Sequence, residues 1–201
     1  MAPRRFSPRF RELFSGRLAA LGFDERRNLR FVRSAGNSQQ IIQFRDRFEY
    51  ITKRFRFDFV LAVHLRAVEE VWRPEQAAEL PATVALPIHL LRPDGVMDEW
   101  YLDDPGCVAD VMAQIRRYGL PFLERYSDIA AVKARLESDA AKDWFMLNAE
   151  RRLCTLAAIE VVEGHRERAI AMLDAALAER EGMRPVKWWE LKELRDRLLT
   201  H

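Results

Sequence analysis

The clearest pattern in the chain is the alternation of apolar and polar side chains in RFRFDFVLAVHL, residues 54–65. Because successive side chains of a strand point to opposite faces, this segment predicts a β-strand with phenylalanines on one face and arginines on the other. Residues 29–33 and 39–49 show a similar pattern and are separated by turn-forming residues at 34–37. The three segments predict an antiparallel meander.

Four prolines punctuate the next stretch and limit where strands can run. Residues 83–91 predict a strand at a sheet edge, where the N–H that proline lacks is not needed. Asp94 and Gly95 are typical of a turn, and residues 96–102 predict a fifth strand after it.

Helix signals lie on both sides of the strands. Ser7 and Pro8 predict the N-cap and first residue of an N-terminal helix. Asp104 predicts the N-cap of a helix that begins one residue later, and Ser127 predicts the N-cap of another. Strands followed by helices predict an α+β fold: an antiparallel sheet of about five strands packed by helices, followed by an all-helical C-terminal extension.

The C-terminal region reads as helical throughout. A long helix is predicted from about Asp143, with a break at Gly164 and His165, a second helix to about Arg180, and a last helix after Pro185. We therefore predict an α+β domain over residues 1–139. Residues 140–201 are predicted to form a helical hairpin and capping helix that pack on this domain or extend it.

Several apolar motifs of the first region occur together in one known family. They are LAALGF (18–23), Phe31 and Arg33, IIQF (41–44), FDFVLAVHL (57–65) and LPFLERYSD (120–128). With these motifs, residues 7–138 resemble the bacterial family catalogued as domain of unknown function 4304. The resemblance implies the fold and supplies no activity.

A second resemblance lies in the tail, in GHRERAIAMLDAAL (164–177). Gly164, Ala169, Leu173 and Ala176 stand at the spacings of the second half of a tetratricopeptide repeat. One repeat cannot build the concave peptide groove of a repeat array, so we interpret the small residues as close helix packing.

The charge of the chain is unevenly distributed. The formal net charge is +2, but residues 1–56 carry 14 Lys and Arg against 5 Asp and Glu, and the remainder is acidic. A basic half can attract anionic partners, and it can also be neutralised by the acidic remainder of the same molecule. The chain has neither a signal-peptide core nor an apolar run long enough to span a bilayer, which favours a cytoplasmic location and no membrane partner.

No motif in the sequence predicts a reaction. There is no glycine-rich phosphate loop, and the histidines and cysteines have neither metal-ligand nor disulfide spacing. They are His64, His89, His165, His201, Cys107 and Cys154. We expect no cofactor and no metal, and the sequence favours a protein that is not an enzyme.

The arginine face of the predicted sheet is the remaining candidate site. Like charges on adjacent strands repel, so the arginines need anions, which the acidic residues of this chain can supply. The predicted charged interaction surface consists of Arg45, Arg47, Arg54, Arg56, Asp98 and Glu99, with Asp46, Glu49 and Asp58 as nearer alternative partners.

These observations predict a non-catalytic interaction protein, with a partner-neutralising or immunity-like role towards another protein. The alternative is weak nucleic-acid binding without sequence specificity through the basic half. That alternative is disfavoured because alternation along the strands places the aromatic rings in the core, where nucleic-acid bases cannot stack on them. The sequence leaves the oligomeric state open.

Overall fold

A computed structural model describes residues 6–96, 99–138, 148–179 and 188–200. Within these residues, six strands form one antiparallel sheet in the order β1-β2-β3-β4-β5, and β6 also pairs with β4. The strands are β1 (Asp24–Glu25), β2 (Arg30–Ala35), β3 (Ser38–Glu49), β4 (Arg54–Leu65), β5 (Val84–Pro87) and β6 (Trp100–Tyr101). The predicted meander corresponds to β2, β3 and β4.

The helices of the described residues precede and follow these strands, apart from α2, which follows β4 directly. They are α1 (Phe6–Ala19), α2 (Arg66–Trp72), α3 (Cys107–Gln114), α4 (Leu120–Tyr126), α5 (Ile129–Glu137), α6 (Ala149–Val162), α7 (Arg166–Ala178) and α8 (Trp189–Thr200). A π-helical turn at Ile115–Gly119 joins α3 to α4. The predicted α+β fold with a helical C-terminal region is confirmed.

The chain is divided into two compact units, each built from two separate segments. The first unit comprises residues 1–63 and 85–127, and the second comprises residues 64–84 and 128–201. The predicted boundary between residues 139 and 140 lies outside the described residues. The division into an α+β domain and a tail domain therefore stays a prediction.

An aromatic cluster forms the core of the first unit. Phe10 and Phe14 of α1 stack with ring centroids 4.4 Å apart, and both rings meet Phe57 of β4 edge-on at 5.6 and 5.8 Å. Phe44 of β3 lies 4.6 Å from Phe10 and 5.2 Å from Phe59. The phenylalanine face of the hairpin is therefore buried under α1, as the alternation predicts.

A buried polar network corrects the predicted role of Ser127. Gln40 of β3 is 2% exposed and accepts from Nε of Arg33 at 2.8 Å. Its amide donates to the hydroxyl of Ser127 at 2.9 Å, and that hydroxyl donates to the carbonyl of Leu123 at 2.7 Å. Because this hydroxyl is used by the network, the N-cap of α5 is the next residue, Asp128, whose carboxylate accepts from a backbone N–H of the first turn.

The helix predicted to start at Pro105 starts instead at Cys107, and its N-cap residue is Gly106. Asp104 does not cap it, because its carboxylate is bonded to the guanidinium of Arg54. Gly106 has a φ of 84°, a left-handed conformation that glycine adopts without steric cost.

The later strands are shorter than the sequence predicts. The segment 83–91 forms β5 only as far as Pro87, since proline cannot donate to a ladder, and the chain then turns into a 3₁₀ helix, Ile88–Leu91. Of the segment 96–102, only Trp100 and Tyr101 form a strand in the described part of the chain. The indole of Trp100 donates to Asp110 at 2.7 Å.

The second unit contains the helical tail. The predicted break is confirmed: α6 ends at Val162, Gly164 has a φ of 86°, and α7 begins at Arg166. Ala169, Leu173 and Ala176 are buried, which fits close packing of α6 against α7. The predicted helix start at Asp143 and helix end at Arg180 lie outside the described residues.

Candidate functional site

Arg45 on β3 and Asp58 on β4 form the first ion pair of the basic face. Nε and Nη2 of Arg45 each donate to one carboxylate oxygen of Asp58 at 2.8 Å. This two-pronged geometry uses the planar fork of a guanidinium, and such pairs are stronger than single-contact pairs. The carboxylate that neutralises Arg45 is therefore supplied by the neighbouring strand.

Arg56 lies next to two carboxylates. Its Nη1 is 2.6 Å from Oε2 of Glu99 and 3.9 Å from Oε1 of Glu49. Glu49 also accepts the hydroxyl of Thr52 at 2.6 Å and the phenol of Tyr101 at 3.0 Å. These two hydrogen bonds lower the pKa of Glu49, and the positive charge of Arg56 adds to the effect.

Arg54 has a different pair of partners. Its guanidinium lies 4.1 Å above the ring of Tyr101 and donates to Asp103 at 2.9 Å and to Asp104. The hydrogen bond from Arg54 lowers the pKa of Asp103. The register explains these partners: β6 pairs Arg56 with Tyr101, so residue 103 lies opposite Arg54 in the continuing antiparallel direction.

The predicted charged surface is thus only partly a surface of free charges. Arg45, Arg54, Arg56 and Glu99 are engaged in ion pairs within the chain. Asp98 lies outside the described residues. Arg47 is exposed and has no hydrogen-bond or ion-pair partner among the residues that the structure describes.

Three of the five anticipated partner residues are found in these pairs: Glu99 and Glu49 with Arg56, and Asp58 with Arg45. Asp46 is exposed and pairs with none of the three arginines. The sequence did not predict Asp103 and Asp104, because the β4–β6 register cannot be read from the sequence.

Some aromatic rings of the β3–β4 hairpin are not buried in the core. At the turn that joins β3 to β4, Tyr50 is 79% exposed and Ile51 is 93% exposed. The ring of Phe48 meets Tyr50 edge-on at 5.1 Å and lies 5.0 Å from Phe55. Lys53, exposed and with a φ of 54°, completes the turn. We call residues Arg47, Phe48, Tyr50, Ile51, Lys53 and Phe55 the hairpin tip.

This tip is not among the sequence-based predictions, although a signal for it exists. Tight turns favour glycine, proline, asparagine and aspartate, and the segment YITK, residues 50–53, has none of these. A tyrosine and an isoleucine at a turn have no strand neighbour to cover them. Such residues point to a contact with another molecule.

The histidines and cysteines do not converge on a reactive centre in the described residues. Nδ1 of His64 lies 2.9 Å from the carbonyl oxygen of Pro81. Burial raises the pKa of Cys107 to about 11, and the nearby Asp104 and Asp110 add to this shift. Burial also raises the pKa of Cys154. Both thiols stay protonated at neutral pH and are poor nucleophiles.

One group of side chains in the second unit resembles a metal site. Glu160, Glu163 and His165 offer ligand atoms within 4.8 Å of one another. Lys133 already places its ammonium 2.8 Å from Glu160 and in contact with Glu163, and Arg168 lies 3.6 Å from Glu160. The carboxylates are neutralised by these cations, so the group is an ion-pair cluster at the α6–α7 turn.

Comparison of the chain with models of protein families, with curated proteins and with solved structures finds no match. Kinship with domain of unknown function 4304 stays a prediction. No helix in the described ranges is long and apolar enough to cross a membrane.

Proposed function

We propose that this chain is a non-catalytic, cytoplasmic interaction protein that docks on another protein through the hairpin tip, in a partner-neutralising or immunity-like role. The observation that carries the proposal is the exposure of Tyr50 and Ile51 beside Arg47 and Lys53, two cations without an ion-pair partner in the described part of the chain. The sheet arginines support the proposal in a different way. Their charges are compensated within the chain, so they hold the hairpin together and leave the tip to make contacts.

The tip has the composition of a binding hot spot. Burying an exposed Ile or Tyr side chain contributes about 1.5–3 kcal/mol, and tyrosine is enriched among the residues that dominate interfaces. Arg47 and Lys53 lie at the rim of this apolar centre. A basic rim selects partners with acidic rims and accelerates their encounter at low salt. We therefore expect a partner with an apolar pocket surrounded by carboxylates.

The protonated, buried thiols and the hydrogen-bonded His64 support a non-catalytic role. A cysteine nucleophile needs a lowered pKa and access to substrate, and Cys107 and Cys154 have neither. The ion pairs of the sheet also point away from catalysis, since their carboxylates are neutralised by arginines. The residues of the hairpin tip include no histidine, cysteine or carboxylate.

A second function is favoured by one specific observation. Phe48, Tyr50 and Phe55 bring three rings to the same end of the hairpin, next to Arg47 and Lys53. Single-stranded nucleic acid binds to such combinations, because bases stack on rings while cations attract phosphates. The alternative function is therefore weak, sequence-nonspecific nucleic-acid binding. The binding site would be the hairpin tip, and the paired arginines of the sheet face would not form it.

Photocrosslinking distinguishes these functions. Benzoyl-phenylalanine replaces Ile51 in the full chain expressed at its native level, and in a control it replaces Leu199, which is 55% exposed on α8. We expect a discrete protein adduct from position 51 that position 199 does not give. The adduct should weaken when Tyr50→Ser is added, because the neighbouring ring is then lost.

A nuclease-sensitive adduct at position 51 would instead support the nucleic-acid function. Identical adduct patterns from positions 51 and 199 would contradict both functions. Arg47→Gln gives a further check, since removing a rim charge should slow association and reduce its dependence on salt.

A further inference from the structure

Strand β3 is longer than β2, the strand on one side of it, so part of one β3 edge lies beyond the end of β2. β3 has 12 residues and β2 has 6, and β2 pairs with residues 38–43 of β3. One further backbone bond runs from the N–H of Phe44 to the carbonyl oxygen of Leu29 at 3.2 Å. The side-chain amide of Gln43 then donates to the carbonyl oxygens of Asn28 and Phe44 at 2.8 and 3.0 Å. The β2–β3 ladder therefore ends at Phe44.

The other edge of β3 continues regularly along β4 as far as the hairpin tip. Arg45 is bonded to Asp58, and the ring of Phe48 lies 5.0 Å from that of Phe55. Both pairs belong to the same antiparallel register, so the second half of β3 is held in extended conformation by β4.

The second half of β3 presents unpaired backbone groups where β2 has ended. In an antiparallel strand, the N–H and C=O groups that face one edge belong to every second residue. Because the N–H of Phe44 faces β2, the backbone groups of Asp46 and Phe48 face the same edge, and those of Arg45 and Arg47 face β4. No hydrogen bond from the described residues reaches the backbone groups of Asp46 or Phe48 on this edge. Residues 45–49 therefore form an open edge of the sheet.

The side chains along the open edge differ between the two faces of the sheet. Arg45 and Arg47 share one face, and Asp58 neutralises only Arg45. Arg47 is exposed and lacks an ion-pair partner in the part of the chain that the structure describes. On the opposite face, the partly exposed ring of Phe48 lies against Tyr50. The edge therefore offers an unpaired cation on one face and an aromatic surface on the other.

A second copy of the chain is a poor occupant of this edge. Two copies related by a two-fold axis would pair antiparallel, and the register that aligns all of residues 45–49 places Arg47 opposite itself. A register centred on Asp46 places two carboxylates opposite each other. Like charges directly opposite on paired strands are destabilising, and charged edge strands resist self-association in this way. The charge of the edge instead favours a different, acidic strand.

We propose that the open edge of β3 receives an extended acidic segment of the partner protein as an additional strand. The segment exchanges backbone hydrogen bonds with Asp46 and Phe48, and a carboxylate on one of its faces pairs with Arg47. Apolar side chains on its other face cover Phe48. The inference rests on the proposed docking at the hairpin tip, which contains Arg47 and Phe48, and it adds the conformation and charge of the segment that docks.

Hydrogen exchange of the backbone amides, followed by NMR in the purified full chain, tests the edge itself. The amides of Asp46 and Phe48 should exchange at least about tenfold faster than those of Arg45 and Arg47, which are bonded to β4. Equal protection of all four amides overturns the inference, because the edge would then already be paired.

Three synthetic peptides test the added strand. The first is an acetylated, amidated heptapeptide in which three glutamates alternate with valine and threonine. The second carries glutamines in place of the glutamates, and the third is the acidic peptide with N-methyl groups on its three central backbone nitrogens.

We expect the acidic peptide to bind with a dissociation constant of about 1 mM or tighter and to slow exchange at Asp46 and Phe48, with no change at Arg45 and Arg47. The glutamine peptide should bind at least about threefold more weakly, and the N-methylated peptide should give no protection. No protection by the acidic peptide up to about 10 mM, or equal binding of the three peptides, overturns the inference.

Variants locate the added strand. Arg47→Gln should reduce the affinity of the acidic peptide to that of the glutamine peptide. Arg116→Gln makes the same charge change at an exposed position of the π-helical turn and should leave the affinity unchanged. Asp46→Pro removes one N–H from the open edge, where proline is tolerated, and should weaken the acidic and glutamine peptides alike. Parent-like affinities in both Arg47→Gln and Asp46→Pro overturn the assignment of the site.

The crosslink from position 51 keeps this inference separate from the proposed function. A protein adduct at position 51, without protection of Asp46 and Phe48 by the acidic peptide, overturns the added strand and supports docking at the tip. Protection by the peptide without an adduct supports the open edge and contradicts docking at the tip.

Discussion

Asp58 accepts both Nε and Nη2 of Arg45 across the β3–β4 hairpin at 2.8 Å, and the Asp58 side chain is only 13% exposed. Exposed ion pairs contribute little to stability, but two-pronged geometry and partial burial strengthen the interaction. Asp58→Asn should therefore lower the free energy of unfolding by about 1 kcal/mol, measured by urea denaturation.

The matched control for this substitution is Asp46→Asn. Asp46 is exposed on the same hairpin and has no ion-pair partner among the described residues. Its substitution should leave the urea midpoint unchanged. An equal loss of unfolding free energy in both variants would mean that stability depends on the net charge of the hairpin and is independent of the ion pair with Arg45.

Arg54 and Arg56 together test whether the basic face is neutralised within the chain. Replacing both with Gln removes their contacts with Asp103, Asp104 and Glu99, so the midpoint of thermal unfolding should fall. The fall should be smaller in high salt, where exposed pairs are screened. A clear rise in the midpoint would show that repulsion between the arginines dominates, and the account of the hairpin would then be wrong.

Glu69 should be the most sensitive charged residue of the second unit. It is fully buried, bonds Arg73 through Oε2, and accepts the hydroxyl of Thr83 through Oε1 at 2.7 Å. Glu69→Ala leaves Arg73 partly buried without its anion and should lower the free energy of unfolding by about 3 kcal/mol.

The neighbouring residue provides the control for Glu69. Glu70 is exposed and pairs with Arg66 one helical turn earlier on α2. Glu70→Ala should leave the urea midpoint close to that of the parent, because surface pairs of this kind contribute little. Equal losses of unfolding free energy in the two variants would contradict a stabilising role for the buried Glu69–Arg73 pair.

The ion-pair cluster at the α6–α7 turn predicts acid sensitivity. Burial tends to raise the pKa of Glu160, but hydrogen bonding to Lys133 and the positive charges of Lys133 and Arg168 outweigh it and lower the pKa below 4.5. A carboxyl group with a lowered folded-state pKa contributes its full stability above pH 4.5. This contribution is lost as the pH falls below 4.5 through the folded-state pKa.

Glu160→Gln should therefore flatten the dependence of unfolding free energy on pH below 4.5, as measured by urea denaturation at several pH values. Glu167→Gln, on the exposed side of α7, should keep the slope of the parent. An unchanged slope in Glu160→Gln would show that this carboxyl titrates alike in the folded and unfolded chains.

Two features of the fold that follow from local patterns were predicted correctly, whereas two helix caps and the lengths of two strands were not. Alternation along 54–65 gave β4 and its buried phenylalanines, and the glycine at 164 marked the break between α6 and α7. What the sequence could not provide was the pairing register between distant segments. The Arg56–Tyr101 register decides which carboxylates reach Arg54, and it depends on the tertiary path of residues 66–99.

The hairpin tip was missed for a local reason. Its turn lacks the residues that usually form turns, so the usual turn signals did not place Tyr50 and Ile51 at an exposed turn.

The most direct test of the docking surface is the reactivity of Tyr50 in native cell extract compared with the purified chain. Hydroxyl-radical footprinting reports this reactivity, and Tyr118, half-buried in the π-helical turn, serves as the reference within the same chain. The account predicts that oxidation of Tyr50 relative to Tyr118 is several-fold slower in extract, and that Arg47→Gln with Lys53→Gln restores it. Equal relative oxidation in extract and in the purified chain would contradict the claim that the hairpin tip is bound by a partner.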